Sequence, residues 1–359
     1  RGASVDDVSR STAVQLFVAR AQQSKPAFTL DASTAGPVAE LVARLEGIPL
    51  ALELAAARVR SLSVADINAR LKDRFKILTG GARVLQERQQ TLKGLVDWSY
   101  DLLHEDEKCF FARLGVFVGG FDLEAAEAIC GAAPLAPEDV LDLLASLVEK
   151  SLVILDESED VPRYKMLETI REYAAGKLGE TGEEKDATGR AHCDYFFSLS
   201  KQARDGLMGE AQGEWIRRLE TDLDNVRSAL ALSLACGADP FIAVKICVAL
   251  HSFWILRGYA TEIRGIVRKL LDSPSVRDSD LAHAWALYIG AGLAESQSDH
   301  AEARTMLEQC LALRRASGRP IDIAATLSTL SLARLQSGDT EAAERGEQEA
   351  LKIFRVLGD

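Results

Sequence analysis

Residues 140–178 read VLDLLASLVEKSLVILDESEDVPRYKMLETIREYAAGKL, and this stretch decides the fold of the region 88–178. Apolar residues first recur every three or four positions, which predicts a helix over about 137–149. A short β-rich run, an acidic turn and a returning strand follow over 152–166. Helical spacing then resumes as far as Leu178. The change of period from helix to hairpin and back predicts a two-stranded wing attached to helices.

Further helical segments precede this stretch. Apolar residues three and four positions apart predict a helix over about 92–103 and a more apolar helix over 109–117. Gly119-Gly120 predicts the end of the second helix, because glycine adopts the left-handed conformation that follows many helices. Asp122 is the predicted N-cap of a third helix. Helices followed by a hairpin describe a winged-helix module.

Two interpretations of this module are open: a packing and regulatory domain, or a DNA reader. A DNA-reading winged helix needs Lys and Arg on its recognition helix and wing, because phosphate neutralisation dominates affinity. The candidate recognition helix and the wing are instead acidic. Their charged residues include Glu138, Asp139, Asp142, Glu149, Lys150, Asp156, Glu157, Glu159 and Asp160. We therefore predict an intramolecular regulator, with no direct nucleic-acid contact made by this chain.

Composition and charge narrow the class of protein. The chain has 359 residues, enough for two or three domains, and a net charge of −12, which disfavours nonspecific binding to nucleic acid or anionic membranes. No apolar run approaches the roughly 18 residues that span a bilayer. Six scattered cysteines without metal-ligand spacing indicate buried free thiols in a reducing cytoplasm. The chain starts at Arg1 without a Met or a signal-like segment, which predicts a portion of a longer protein.

A helical subdomain is predicted over residues 1–85. Residues 1–11 are polar and predicted to be extended. The predicted helices are Ser11–Ala21, Ala35–Leu45, Leu50–Val59 and Asp66–Leu71. The third helix has almost no polar face, with Glu53 and Arg58 as its only charges. Such a helix must be buried.

A set of ordered blocks surrounds the segment LEGIPLALELAA at residues 45–56. The other blocks are Ser11–Ala21, Arg74-Phe75 with Leu78–Gly81, Gln89–Leu92 with Asp97–Leu103, Val116–Phe121 and Leu167–Ala174. Together they resemble the STAND signalling ATPases, and most of all the bacterial NB-ARC-type regulators with C-terminal tetratricopeptide-like repeats. The segment at 45–56 resembles the GxP motif of that family. The resemblance covers about residues 10–235, and so many ordered blocks are far more specific than a lone GxP.

The resemblance implies a nucleotide-contacting role for Gly47 and Pro49. In the family, the GxP proline lies against the base, and the winged helix folds back over the ADP pocket of an upstream nucleotide-binding domain. Pro49 would then contact adenine of ADP or ATP in the intact parent, with Gly47 allowing close approach of the backbone. The rigid proline ring offers a flat apolar surface. The alternative is that the segment only starts a helix, with Pro49 at its first position.

This sequence departs from the family pattern at two points. It contains no G-x-x-x-x-G-K-[ST], and Gly80-Gly81 lacks the lysine that would reach the phosphates. We therefore expect that the chain alone neither hydrolyses ATP nor binds nucleotide tightly. The stretch Met166-Leu167-Glu168 also lacks the His of the Met-His-Asp motif of related proteins. For Glu168 and Arg171 the sequence predicts an ion pair on the helix surface instead.

The C-terminal region, 190–359, is predicted to be helical throughout. A charged linker at 179–184 leads into a predicted helix at 192–207 and one long helix at 215–234. A 40-residue repeat follows, with units at about 241–275, 281–316 and 321–357. Gly258, Ser298 and Gly338 align in it, as do Leu271, Leu311 and Leu351. The units resemble tetratricopeptide repeats with longer links, and such units must stack to bury their apolar faces.

Trp254 and Trp285 lie in the first helices of two repeats, where each belongs either to the core or to a partner-binding platform. The five histidines are scattered without ligand spacing, and no catalytic or metal site is predicted.

The expected fold is mainly α: a helical subdomain, a winged-helix domain at 86–180 with a small hairpin wing, and an α-α superhelical repeat region. The expected function is the regulatory and sensor portion of an ATP/ADP-switched signal-transduction protein that controls transcription. Its lid would cover ADP, and its repeats would bind a protein or small-molecule inducer, with oligomers forming on activation. A cyclase-linked output is a further expectation for this class. The alternative is a nucleotide-independent scaffold of helical repeats that binds a protein.

Overall fold

The structure is a computed structural model of the 359-residue chain. It describes residues 5–45, 47–78, 84–157, 161–180, 182–235, 240–317 and 319–358, without the side chains of 6, 7, 72–78, 84–92, 235, 240 and 317. The chain forms two compact units, residues 1–184 and 185–359. The predicted division into three domains, with limits at 85, 180 and 190, stays a prediction. The predicted mainly α fold is confirmed.

The first unit begins with a helical layer. Its helices are α1 Val5–Ser9, α2 Thr12–Ser24, α3 Ala35–Arg44, α4 Pro49–Ala57 and α5 Val64–Leu78, with a 3-10 turn at Arg58–Arg60. The prediction of an extended segment at 1–11 is wrong over α1, where Val8 is buried and packing overrides the polar composition. The prediction that α4 is buried is confirmed, since Leu52, Leu54 and Ala55 are fully buried.

The winged helix follows in the same unit. Its elements are α6 Val84–Asp101, α7 Glu105–Leu114, α8 Leu123–Cys130, a 3-10 turn at Pro137–Asp139, α9 Val140–Glu149, β1 Ile154–Asp156, β2 Arg163–Lys165 and α10 Glu168–Leu178. The two strands pair antiparallel, with Leu155 opposite Tyr164. Phe121 forms an isolated bridge to Tyr164, so the wing is tied to the start of α8. The predicted cap is confirmed, because the Asp122 carboxylate accepts from the Ala125 N–H at 2.8 Å.

A buried arginine organises the loop that leads to α9. Arg113 is 5% exposed and donates to the carbonyls of Cys130 at 2.8 Å and Ala133 at 2.8 Å, and also to that of Ala132. Its Nε donates to Glu184 at 3.0 Å. Buried carbonyls without partners are costly, so this one side chain lets an irregular loop pack against the helical core.

The second unit, from residue 185, contains most of α11 Gly182–Gly206, followed by α12 Gln212–Thr221 and α13 Leu223–Ala235. The predicted linker at 179–184 is wrong in its second half, because α11 already begins at Gly182. Glu183 and Glu184 in its first turn suit the positive end of the helix dipole. The predicted single helix at 215–234 is also wrong, since the chain breaks at Asp222, which is 5% exposed. Tertiary packing sets that break, and the apolar spacing continues across it.

Helices then repeat to the end of the described chain. They are α14 Pro240–Ala249, α15 His251–Leu256, α16 Ala260–Asp272, α17 Pro274–Arg277, α18 Asp280–Ser296, α19 His300–Ser317, α20 Pro320–Gln336 and α21 Thr340–Leu357. The turns at Gly258, Ser298 and Gly338 all have positive φ, at 77°, 61° and 84°, so the predicted 40-residue alignment holds in the backbone. Leu307, Cys310, Leu327 and Leu330 lie in one core that joins α18 to α21.

Two of the sequence blocks lie wholly or partly outside the described residues: the loop at 78–81, and the side chains of Arg74, Phe75 and 89–92. Among the described residues, no helix combines the length and the apolar character that membrane crossing requires.

Candidate functional site

The turn at residues 47–49 is built by the end of one helix and the start of the next. Gly47 has φ +66°, and its N–H donates to the Val42 carbonyl at 3.1 Å, which closes the end of α3. The Ile48 N–H donates to Leu45 at 3.0 Å, and Pro49 is the first residue of α4. A Cβ on Gly47 would lie 3.6 Å from Ala13, so the need for glycine here is conformational rather than steric. This geometry matches the helix-start interpretation, and a base contact by Pro49 stays a prediction.

Pro49 is exposed at the edge of an otherwise buried helix. The residues that follow Pro49 in α4 are mostly buried. Arg20 of α2 pairs with Glu53 of α4 at 3.2 Å. The turn therefore exposes the apolar ring of Pro49 next to a helix whose following residues are mostly buried. A flat aromatic ligand could lie against such a surface without displacing any part of the core.

The helix that carries this turn is joined to the winged helix by two arginines. The Arg58 guanidinium is 6% exposed, and its Nη2 donates to the Ser99 carbonyl of α6 at 3.3 Å. Burial lowers the pKa of Arg58, and the nearby Glu107 carboxylate opposes that shift. Arg60 pairs with Glu149, the last residue of α9, at 2.5 Å. The subdomain thus contacts the winged helix at α6 and at the candidate recognition helix.

A buried carboxylate fixes the opposite side of α9. Glu107, 6% exposed, accepts from Ser146 at 2.5 Å, from Lys150, and from the His104 N–H at 2.9 Å. Burial by itself raises the pKa of Glu107, but the hydrogen bonds from Lys150, Ser146 and the His104 amide outweigh it, so the pKa is lowered overall. The one lysine at the end of the recognition helix is therefore engaged within the domain.

The outer face of α9 is apolar and acidic. Leu141 is 51% exposed, and Asp142, Ala145 and Glu149 are exposed beside it. The neighbouring wing exposes Ile154 and Leu155, each 37%. Carboxylates on a reading face repel the DNA backbone, whereas exposed leucines favour contact with protein. The chemistry of this face suits a protein surface.

A small cavity of about 200 Å³ lies where the family's Met-His-Asp motif would fall, and Gly119, Gly120, Lys165, Met166 and Arg171 are among its lining residues. Both cations there are already paired with carboxylates. Arg171 binds Glu168 at 2.6 Å, which confirms the predicted surface pair, and Lys165 binds Asp156 at 2.8 Å.

The nucleotide that the resemblance implies would need an apolar surface for its base and cations for its phosphates. Pro49 is exposed and Gly47 is half-buried, so the apolar ring of Pro49 is accessible at this turn. The paired cations beside the small cavity are a poor fit for phosphate. Among the described residues, no cluster of three or more His, Cys, Asp or Glu is placed to hold a metal ion. Contact of this chain with a base therefore stays a prediction.

The two predicted partner-binding tryptophans have different environments. Trp254 is fully buried, with Phe253 at 5.2 Å and Tyr259 at 6.3 Å between ring centroids, so the described conformation gives a partner no access to it. Trp285 is half-buried, and the Arg314 guanidinium lies 4.5 Å from its ring. Partner binding by either residue stays a prediction.

The sequence analysis missed the residues that connect the turn to the winged helix. Arg58 stood out as a charge on an apolar helix, which is a usable signal of a buried partner. Its contact with Ser99 and the Arg60–Glu149 pair span 41 and 89 residues, and no local pattern indicates them.

The sequence is similar to those of known proteins. Residues 103–179 match the winged helix-turn-helix domain family. A Mycobacterium tuberculosis protein named "Putative HTH-type transcriptional regulator" is 38% identical over 97% of this chain and 40% of its own length. An uncharacterized protein of the same organism is 41% identical over 48% of this chain and 44% of its own length. The chain thus spans about two fifths of the regulators it matches.

Among solved structures, the chain is similar to a Signal Transduction ATPase with Numerous Domains (STAND) protein with a tetratricopeptide repeat sensor from Pyrococcus horikoshii. The identity is 16% and the TM-score 0.34, over 99% of this chain and 54% of that one.

The chain is therefore a protein with a winged helix-turn-helix domain followed by helical repeats. The regulator expected from the sequence agrees with the winged-helix match and with the relatives named as putative HTH-type transcriptional regulators.

Proposed function

We propose that this chain is the regulatory and sensor portion of a nucleotide-switched transcriptional regulator. The helical subdomain and the winged helix form a lid over an ADP pocket of an upstream nucleotide-binding domain, and the repeats receive the inducing signal. The names of the matched relatives and the winged-helix family support a regulatory role. A signal on the repeats would bias the lid towards an open state, which requires only that the ligand binds the open state more tightly.

The observation that carries this proposal is the exposed Pro49 at the first position of a buried helix. Gly47 lets the main chain turn tightly there. The proline ring is exposed next to the buried part of α4. The bound nucleotide supplies a base as packing partner and phosphates that the upstream domain holds. Arg58 and Arg60, in the 3-10 turn that directly follows α4, contact α6 and α9. These contacts support a lid that moves as one body.

Nucleotide retention tests the proposal in the full-length product of the gene that encodes this chain. Purified protein is expected to retain ADP through gel filtration, and Pro49→Ala is expected to weaken ADP binding about tenfold, the equivalent of about 1.4 kcal/mol of lost base packing. Pro320→Ala is the matched control, because Pro320 is also exposed at the first position of a helix. ADP affinity that is equal in wild type and Pro49→Ala would reject the base contact.

A nucleotide-independent scaffold is the second candidate function. It is favoured by an open apolar groove in the last described repeat, lined by Leu332, Leu335 and Leu351. Retention of ADP separates the two candidates, because a scaffold would bind its partner equally well with and without nucleotide.

A further inference from the structure

The first turn of α11 lies against the winged helix. Glu184 is the last residue of the first unit, and α11 continues from it into the second unit. The Glu184 carboxylate accepts a hydrogen bond from the Arg113 Nε at 3.0 Å and another from the Cys109 thiol at 3.3 Å. Both donors belong to α7, so this carboxylate attaches the start of α11 to the winged helix.

The buried position of Arg113 depends on that carboxylate. The side chain is only 5% exposed, and its guanidinium is always cationic. The other described hydrogen bonds that it donates go to the main-chain carbonyls of residues 130, 132 and 133, which carry no net charge. Glu184 supplies the carboxylate that pairs with it. Removal of one partner of a buried ion pair is strongly destabilising, so the burial of Arg113 favours a docked α11.

The same guanidinium also orders the loop that leads to α9. The Ala132 carbonyl, which accepts from Arg113, also accepts from the N–H of the buried Leu135 at 3.0 Å. A Cβ on Gly131 would lie 2.9 Å from the Pro137 Cα, so the loop is in close contact with the 3-10 turn that precedes α9. A change in the position of Arg113 would therefore affect the start of α9 as well as the loop.

We propose that the Arg113–Glu184 pair couples the docking of α11 to the order of the loop 130–136 and the position of α9. Release of the first turn of α11 would leave the buried guanidinium without its carboxylate. The side chain would then move towards water, and the loop carbonyls would lose their donor. The loop and the start of α9 would loosen as a result. A displacement of α11 would reach the winged helix by this route.

This inference deepens the proposed function and rests on it for its biological meaning. In the proposed regulator, the pair is the contact through which a signal on the repeats changes the lid. Hydrogen exchange tests the coupling with or without nucleotide, whereas ADP retention tests the switch. A protein that retains no ADP but shows the coupling would reject only the proposed function, so the two failures are distinguishable.

Hydrogen exchange, followed by mass spectrometry in the full-length product of the gene, is the first test. Glu184→Gln removes the charge and keeps the shape of the side chain, and it is expected to speed exchange over residues 131–139 at least about fivefold. Glu183→Gln is the matched control, because Glu183 is exposed in the same turn of α11, and it should leave exchange unchanged. Residues 284–294, in the core of the second unit, are the reference and should exchange equally in all three proteins.

A double-mutant cycle distinguishes coupling from a local structural contact. Leu135→Ala loosens the loop from its buried side, and reciprocity predicts that it also speeds exchange over residues 186–192 of α11. This response of α11 should disappear when Glu184→Gln is already present, because the loop and the helix are then no longer linked. Two independent local contacts would instead give additive effects.

Three outcomes would overturn the inference. The first is exchange over residues 131–139 that Glu184→Gln leaves unchanged. The second is an equal rise over the reference residues 284–294, because the effect would then not be specific to the loop. The third is additivity of Leu135→Ala and Glu184→Gln at residues 186–192, which would reduce the pair to a structural contact.

Discussion

At the scale of single residues, burial controls the ionisation of His192. Burial is the main cause that lowers its pKa to about 4, and a hydrogen bond with Asn225 opposes the shift. In the unfolded chain the same imidazole has a pKa near 6.5. Between pH 6.5 and 4, the imidazole is therefore protonated in the unfolded state and neutral in the folded state. The second unit loses stability as the pH falls through this window.

We expect this loss to reach about 3 kcal/mol, since 2.5 pKa units at about 1.36 kcal/mol each separate the two states. Denaturant unfolding at a series of pH values from about 7.5 to 4 measures it. His192→Leu should be less stable at neutral pH but should lose most of this pH dependence. A slope that is identical in wild type and variant would contradict the assignment.

Ser298 provides a second prediction at this scale. It has φ +61° where the equivalent residues of the neighbouring repeats are glycines with φ +77° and +84°. A side chain in the left-handed region costs about 1 kcal/mol, so Ser298→Gly is expected to stabilise the second unit by about that amount. Thermal unfolding measures the change. Ser228→Gly, inside α13, is the control and should destabilise by about 0.5 kcal/mol.

At the scale of elements, close approach between helices fixes the winged helix. A Cβ on Gly115, at the end of α7, would lie 2.4 Å from the Ala175 amide nitrogen of α10. Neither backbone can move without disturbing the core around it. We expect Gly115→Ala to destabilise the first unit by about 1–3 kcal/mol, as overpacking does.

Gly176 in α10 is the matched control for this prediction, because a Cβ there meets nothing within 4 Å. Gly176→Ala should stabilise the helix by about 0.5–1 kcal/mol. Chemical denaturation followed by circular dichroism compares the two variants. If both shift stability in the same direction, the contact between α7 and α10 is not as close as described.

The sequence predicted most of these elements, and the failures have physical causes. Apolar spacing located α9, which buries one regular face, and α4, which is buried on nearly all sides. The change from helical to strand spacing located the wing. The same apolar spacing predicted one helix where the structure has α12 and α13. The break at Asp222 is set by packing and leaves the apolar period intact. The composition of residues 179–184 predicted a linker over the first turn of α11, because a run of Glu and Gly resembles a solvated loop.

At the scale of the whole molecule, charge disfavours DNA as a direct ligand of this chain, and the absence of DNA binding stays a prediction. The net charge is −12, and the exposed face of α9 carries Asp142 and Glu149. We expect no salt-dependent binding to a duplex of about 30 base pairs at about 0.1 M salt. Fluorescence anisotropy is the measurement. A dissociation constant below about 1 μM that rises steeply with salt would restore the DNA-reading interpretation.

The sequence by itself determined the helical class, the winged-helix pattern and the 40-residue period, because these depend on local spacing and on turn residues such as Gly258 and Gly338. The tertiary structure alone decided which surfaces stay open. Pro49 is exposed while Trp254 is buried, and Leu351 is exposed where Leu311 is covered. Exposure depends on contacts between residues far apart in the chain, so no local pattern encodes it.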